Sequence, residues 1–240
     1  MSNNADTAAP SGPQESSISP PGLATADGAS RAGRPRAFDI DVALDAAIVV
    51  FSAHGYHGTS ITDLKAAMGL TAGSIYKAFK DKRAIFLAAY DRYKAVRAAL
   101  MDEALSGAET GLEKLRRVLY VYADSARGET GRRGCLAIGA AVELALFDAE
   151  VDARVARGNA RTMGMIEGFL REGQADGSVD DSLDPGVTAL ALFSLIQGLR
   201  VTGKSGEQAH STRAVADLAL AGLKSRSAPR QADPAGGRSP

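Results

Sequence analysis

The chain of 240 residues has no tryptophan, one cysteine and three histidines. One cysteine excludes an intramolecular disulfide and a cysteine-rich zinc site. His54, His57 and His210 stand apart, and none has a partner at the i, i+4 spacing of a helix-borne metal site. Neither metal nor cofactor is expected. Only 5% of the residues are aromatic against 45% hydrophobic, so the core must come mainly from Ala, Leu, Val and Ile. No apolar run reaches the ~20 residues that span a bilayer. The first thirty residues are rich in Ser, Pro, Gly and Ala, without the apolar stretch of a secretory signal. A cytoplasmic protein with no membrane partner is expected. Alternating strand patterns are missing too, which points to an all-α fold. No Ser/His/Asp or paired-carboxylate arrangement rises above scatter, so no enzyme is expected.

What is present centres on Thr59 to Phe79, TSITDLKAAMGLTAGSIYKAF. Thr59 and Ser60 can each cap a helix, and Asp63 follows Ser60 at capping-box spacing. Ile61, Leu64 and Met68 form one apolar stripe, and Gly69 can end the helix in a left-handed conformation. Thr71 is placed to cap a second helix, with Ile75 and Phe79 turned inward. Ala72, Gly73, Ser74 and Lys77 are left on its outer face, which is short-chained enough to approach a duplex closely. A helix-turn-helix lays such a second helix in the major groove. An ordinary αα corner has the same local pattern.

The flanks bear on that choice. Asp41 to His54 is a helix with Leu44, Ala47, Ile48 and Phe51 on one face, closed by Gly55 and followed by Tyr56. Before it, Arg34 and Arg36 can reach a minor groove or phosphates from a flexible arm. From Arg31 to Arg83 there are eight Lys/Arg against five Asp/Glu, within a chain whose total charge is zero. The run from Phe38 to Phe86 resembles the DNA-binding domain of TetR-family transcriptional regulators. The resemblance rests on Ala46-Ala47, Phe51, Gly55-Tyr56, Thr59-Ser60, Asp63-Leu64, Gly69-Leu70, Gly73-Ser74-Ile75-Tyr76, Phe79, Lys82 and Phe86. Lys65 and Met68 depart from the alanines usual in the family, and Ala78 from its histidine. Composition alone points to disordered tails over 1–33 and 225–240. The resemblance implies a helix-turn-helix domain over 34–82 and a helical ligand-binding and dimerisation domain over 83–224.

Beyond the motif, helices are expected from Asp81 to about Leu105, Leu112 to Ala126, Cys135 to Phe147, Val151 to Glu172, Val187 to Val201 and Val215 to Leu223. Gly128 to Gly134 reads as a polar break. Asp184 and Pro185 suit the cap and first position of the helix that follows them. That helix is apolar almost all round and needs cover on every side, which a second copy of the chain can supply. A homodimer through the last two long helices is expected.

DNA contact is therefore expected at Arg34, Arg36, Thr59, Ser60, Thr71, Ala72, Gly73, Ser74, Tyr76, Lys77 and Lys82. The resemblance implies double-stranded operator DNA as partner, release by a small-molecule effector, and repression. Tyr90, Tyr93, Tyr120, Tyr122, Cys135, Glu143, Phe169, Phe193 and Gln197 are candidates to line the effector pocket. Cys135 follows two arginines at a helix start, which favours thiolate; a buried small hydrophobe has the same signature. Two alternatives stay open. A helical adaptor could bind protein through the same corner. GLRVTGKS, Gly198 to Ser205, formally matches a phosphate-cradling loop.

Overall fold

The computed structural model describes residues 39–206 and 211–224. Arg34 and Arg36, both terminal tails and His210 lie outside the described residues. The described residues form ten helices in order: α1 (Ile40–His54), α2 (Ile61–Met68), α3 (Ala72–Ala78), α4 (Lys82–Leu105), α5 (Gly111–Ser125), α6 (Gly128–Arg133), α7 (Leu136–Glu143), α8 (Ala149–Asp176), α9 (Pro185–Lys204) and α10 (Thr212–Ala221). Among the described residues the only β pairing is an isolated antiparallel bridge between Val179 and Lys224.

Local signals set most helix starts. Asp39, Ser60, Thr71, Asp81, Thr110, Asp148 and Asp184 each accept backbone amides of the first turn they precede. Ser60 and Asp63 close a reciprocal capping box. Gly69 ends α2 at φ 63°, where a Cβ would be strained.

Two apolar cores form. The first gathers Leu44, Phe51, Leu64, Ile75, Phe79, Phe86 and Tyr90 from α1 to α4, and adds Leu136, Ala140, Val151 and Val155 from α7 and the start of α8. Its aromatic rings meet in sequence: Phe51 stands edge-on to Phe86 at 5.1 Å, and Phe86 meets Tyr56 at 5.2 Å. The second core joins Leu115, Val118, Leu119, Ile166, Leu170, Leu192, Ile196, Ala216 and Leu220 from α5, α8, α9 and α10. Helix α4 contributes to both, through Phe86 at one end and Met101 at the other.

Three expectations need correction. The glycine-rich stretch at 128–134 is not a break: it folds as α6 against α9. The helix expected to reach Phe147 stops at Glu143, and Leu146 and Phe147 are left exposed in the following turn. GLRVTGKS is no phosphate loop, because α9 continues through it to Lys204. Its Gly203 serves packing instead: a Cβ there would lie 2.4 Å from the carbonyl oxygen of Ala126. Among the described helices α9 alone has the length and apolar content of a bilayer-crossing segment. It nonetheless packs against α5, α6 and α8, and carries a buried arginine, Arg200.

Candidate nucleic-acid interface and effector cavities

The first site is built on α2, the turn at Gly69 and α3. Ile75 and Phe79 bury one side of α3, so its opposite side must face outward. Gly73, Tyr76 and Lys77 are exposed there, and Ala72 and Ser74 are half-buried. The Thr71 hydroxyl accepts the Ser74 amide at 3.2 Å and lies 3.0 Å from the Ser74 hydroxyl, which caps the N-terminal turn. Ser60, the cap of α2, is exposed.

Two of the expected contacts sit differently. Thr59 is buried, and its hydroxyl donates to the Gly55 carbonyl at 2.6 Å, so it has no free face for phosphate. Lys82 donates to the carbonyls of Tyr56 at 2.9 Å and Thr59 at 3.0 Å, with its ammonium 4.3 Å from the centre of the Tyr56 ring. These contacts fasten the α1–α2 turn to the start of α4. Two of the three ammonium donors are thereby used within the protein.

The next residue, Arg83, donates two hydrogen bonds to Asp148 and a third to Glu150 at the start of α8. The Arg83 guanidinium holds the Asp148 carboxyl down at about 2.

The expected pocket residues do not assemble in one cavity. Tyr90 is buried in the first core, where desolvation pushes its hydroxyl up to about 12. Tyr120 reaches the surface and donates to Asp217 at 2.6 Å. Phe169 and Phe193 pack on the edge of the second core, and Gln197 is half-buried on α9. Tyr122 does line a cavity of about 210 Å³ between α4, α5 and α8. Its other walls are Lys94, Arg97, Ala98, Met101, Asp102, Arg161, Thr162 and Met165. Arg97 donates to the Ser125 hydroxyl at 2.7 Å and lies over the Tyr122 ring. Burial lowers the Lys94 ammonium, as do Arg97 and Arg161; only Cys135 opposes them. Three cations therefore face one carboxylate, Asp102. Sequence reading missed Lys94, Arg97 and Met101, although their spacing places them along one side of α4.

Cys135 and Glu143 line a second cavity, of about 200 Å³, with Phe51, Ile138, Val142, Arg200 and Lys204. Glu143 is no pocket fixer alone: it accepts the amides of Tyr56 at 2.9 Å and His57 at 3.2 Å. Lys204 donates to the carbonyls of Ser52 at 3.2 Å and Ala53 at 3.4 Å. Both ties seize the C-terminal end of α1, whose last carbonyls and following amides lack helical partners. Burial pushes the Cys135 thiol up, but Arg200, the Tyr93 hydroxyl and two α7 amides outweigh it, leaving the thiol below its ordinary value.

With this arrangement in view, residues 43–89 match the family model of bacterial regulatory proteins, tetR family. Residues 111–218 match the tetracyclin repressor-like C-terminal domain. The chain is 30% identical over 191 residues to the HTH-type transcriptional repressor ComR of Escherichia coli K12, covering 78% of this chain and 90% of that one. The chain belongs to the TetR family. It is a DNA-binding transcriptional regulator. Among solved structures, the TetR-family regulator CifR, as a cysteine mutant complexed with a 26 bp operator, aligns with a TM-score of 0.69 at 29% identity. That alignment covers 78% of this chain and 98% of CifR. Bacillus subtilis FadR in complex with stearoyl-CoA shares the fold, with a TM-score of 0.61 at 23% identity over 76% of this chain and 96% of FadR. A TetR-family match on both parts of the chain favours a regulator over a helical adaptor.

Proposed function

We propose that this TetR-family protein is a cytoplasmic homodimeric repressor, without catalytic activity, that leaves its operator when an acidic small molecule fills the cavity between α4, α5 and α8. The observation that carries the DNA reading is the outward side of α3, where Gly73, Tyr76 and Lys77 stand exposed beside a capped first turn. Ala72, Gly73, Ser74 and Lys77 are nearest base edges; Ser60, Thr71, Tyr76 and the spare donor of Lys82 bind phosphate. Arg34 and Arg36 add an arm. Residues 34–82 act as the reading head and 83–224 as the effector and dimer body.

The dimer reading rests on α8 and α9, the last two long helices. Val187, Leu190, Ala191, Ser194, Gly198 and Val201 are exposed and share one face of α9, which carries no charge. A Cβ on Gly198, or on Gly164 and Gly168 of α8, would meet nothing within 4 Å. Glycine inside a helix costs about 1 kcal/mol against alanine, and close approach of a second copy supplies the reason for it. Two heads held about one duplex turn apart, roughly 34–36 Å, then read a two-fold operator. An effector favours release only if it binds the spread form more tightly. Lys94, Arg97 and Arg161 suit a carboxylate or phosphate there.

The test is fluorescence anisotropy on the operator region next to this protein's own gene. Lys77→Ala is expected to weaken binding by about 1–3 kcal/mol and to relax the preference at one base pair. Wild type bound no better than Lys77→Ala, on every duplex and at low salt, would end the reading. Leu190→Arg is expected to give monomers by light scattering.

A further inference from the structure

Arg200 holds the one fully buried side-chain polar atom without a partner among the described residues, its Nη1. The residue is only 4% exposed. Its Nη2 donates to the Gly134 carbonyl at 2.8 Å, a neutral acceptor, and no described carboxylate is paired with it. A buried guanidinium without a counter-charge is costly, and an orphaned donor adds to that cost. Arg200 lines the second cavity, the one of about 200 Å³ between the end of α1, α7 and α9. The rest of the wall is mixed. Phe51, Ile138, Val142 and Val201 are apolar, Lys204 adds a second cation, and Glu143 is occupied by the Tyr56 and His57 amides.

We infer that this cavity is a second ligand site, separate from the effector cavity, that takes a small monocarboxylate with a short apolar body. The carboxylate pairs with the guanidinium of Arg200, which lines the cavity, and the apolar body lies against Phe51, Ile138 and Val142. The size fits: drug-sized ligands fill roughly 300–1,000 Å³, so this cavity suits a molecule of a few carbons. Cys135 shares the cavity and is the internal rival for the role of counter-charge. A resident thiolate would satisfy the arginine and leave an added anion nothing to gain.

The experiment is thermal unfolding of the full-length protein with a series of short carboxylates, acetate to valerate, against the matching amides, sodium chloride and inorganic phosphate. Arg200→Gln removes the cation. Gly139→Leu fills the cavity and leaves both cations, Arg200 and Lys204, in place; a Cβ there meets Glu143 Oε1 at 3.8 Å, an ordinary contact. A carboxylate of three to five carbons at ten times its Kd is expected to raise the wild-type midpoint by roughly 3 °C or more. The amides should do nothing, and both variants should lose the response. Gly139→Leu keeps the test open if Arg200→Gln fails to fold. Three results would each overturn the inference: equal shifts with phosphate or chloride, an unchanged response in Gly139→Leu, or no shift together with a Cys135 absorbance at 240 nm that marks a thiolate at neutral pH.

Discussion

The two cores solve the same problem with different materials. The first holds four buried aromatic rings, Phe51, Phe79, Phe86 and Tyr90; the second holds none among its buried residues and is built from Leu, Ile, Val and Ala. Three short helices offer little area, and an aromatic ring buries more surface per residue than any aliphatic chain. The long helices of the body reach the same end by repetition. A core made from a few large rings depends on each of them, whereas the second core spreads its stability over many small contributions.

That contrast can be broken most directly at Phe86, which is 1% exposed and touches three other rings. Phe86→Ala is expected to cost about 3–5 kcal/mol and Ile196→Ala about 2–5 kcal/mol, read by urea denaturation. The first-core variant should also lose DNA binding while the second-core variant keeps it at low temperature. Equal effects of the two on DNA binding would remove the distinction. Lys82→Met tests the polar fastening of the head. It removes two bonds to carbonyls and the contact with the Tyr56 ring, an expected loss of about 1–3 kcal/mol. Arginine at this position should recover only part of it, since the planar fork does not copy an ammonium.

Ser60→Ala should cost about 1 kcal/mol. It opens the capping box of α2, and the effect should appear first as faster amide exchange over 61–64. The smallest effect expected is the pH dependence of the seam between α4 and α8. Asp148 titrates at about 2 in the folded protein against an ordinary 3.8. Its contribution is therefore complete above pH 3.8 and is lost as pH falls toward 2. Asp148→Asn should flatten stability across that window and leave it unchanged in shape above pH 5.

The head was legible because its signals are local. Ser60 and Asp63 are three residues apart, Thr71 and Ser74 likewise, and Gly69 marks the turn without help from elsewhere. Thr59 shows where that reading fails. Its hydroxyl could cap, contact phosphate or return to the chain, and only the fold puts the Gly55 carbonyl 2.6 Å away. The cavities were hidden for the same reason. Arg97 and Arg161 lie 64 positions apart, and Arg200 meets Gly134 across 66. In GLRVTGKS, a sequence pattern suggested a phosphate loop, while the crossing of α9 past Ala126 gives its glycine a steric purpose.

From residues alone came the helical class, the capped corner with its exposed small face, and a body too apolar on α9 to stand without cover. Spacing along a chain is enough for these, because helix period and capping act within a few residues. Folding alone assigned Glu143 and Lys204 to the end of α1, divided the aromatics between core and surface, and buried Arg200 against a neutral carbonyl. Each of those outcomes depends on which distant helices meet, and a hydrogen bond or a cavity wall is set within a few tenths of an ångström, which no periodicity encodes.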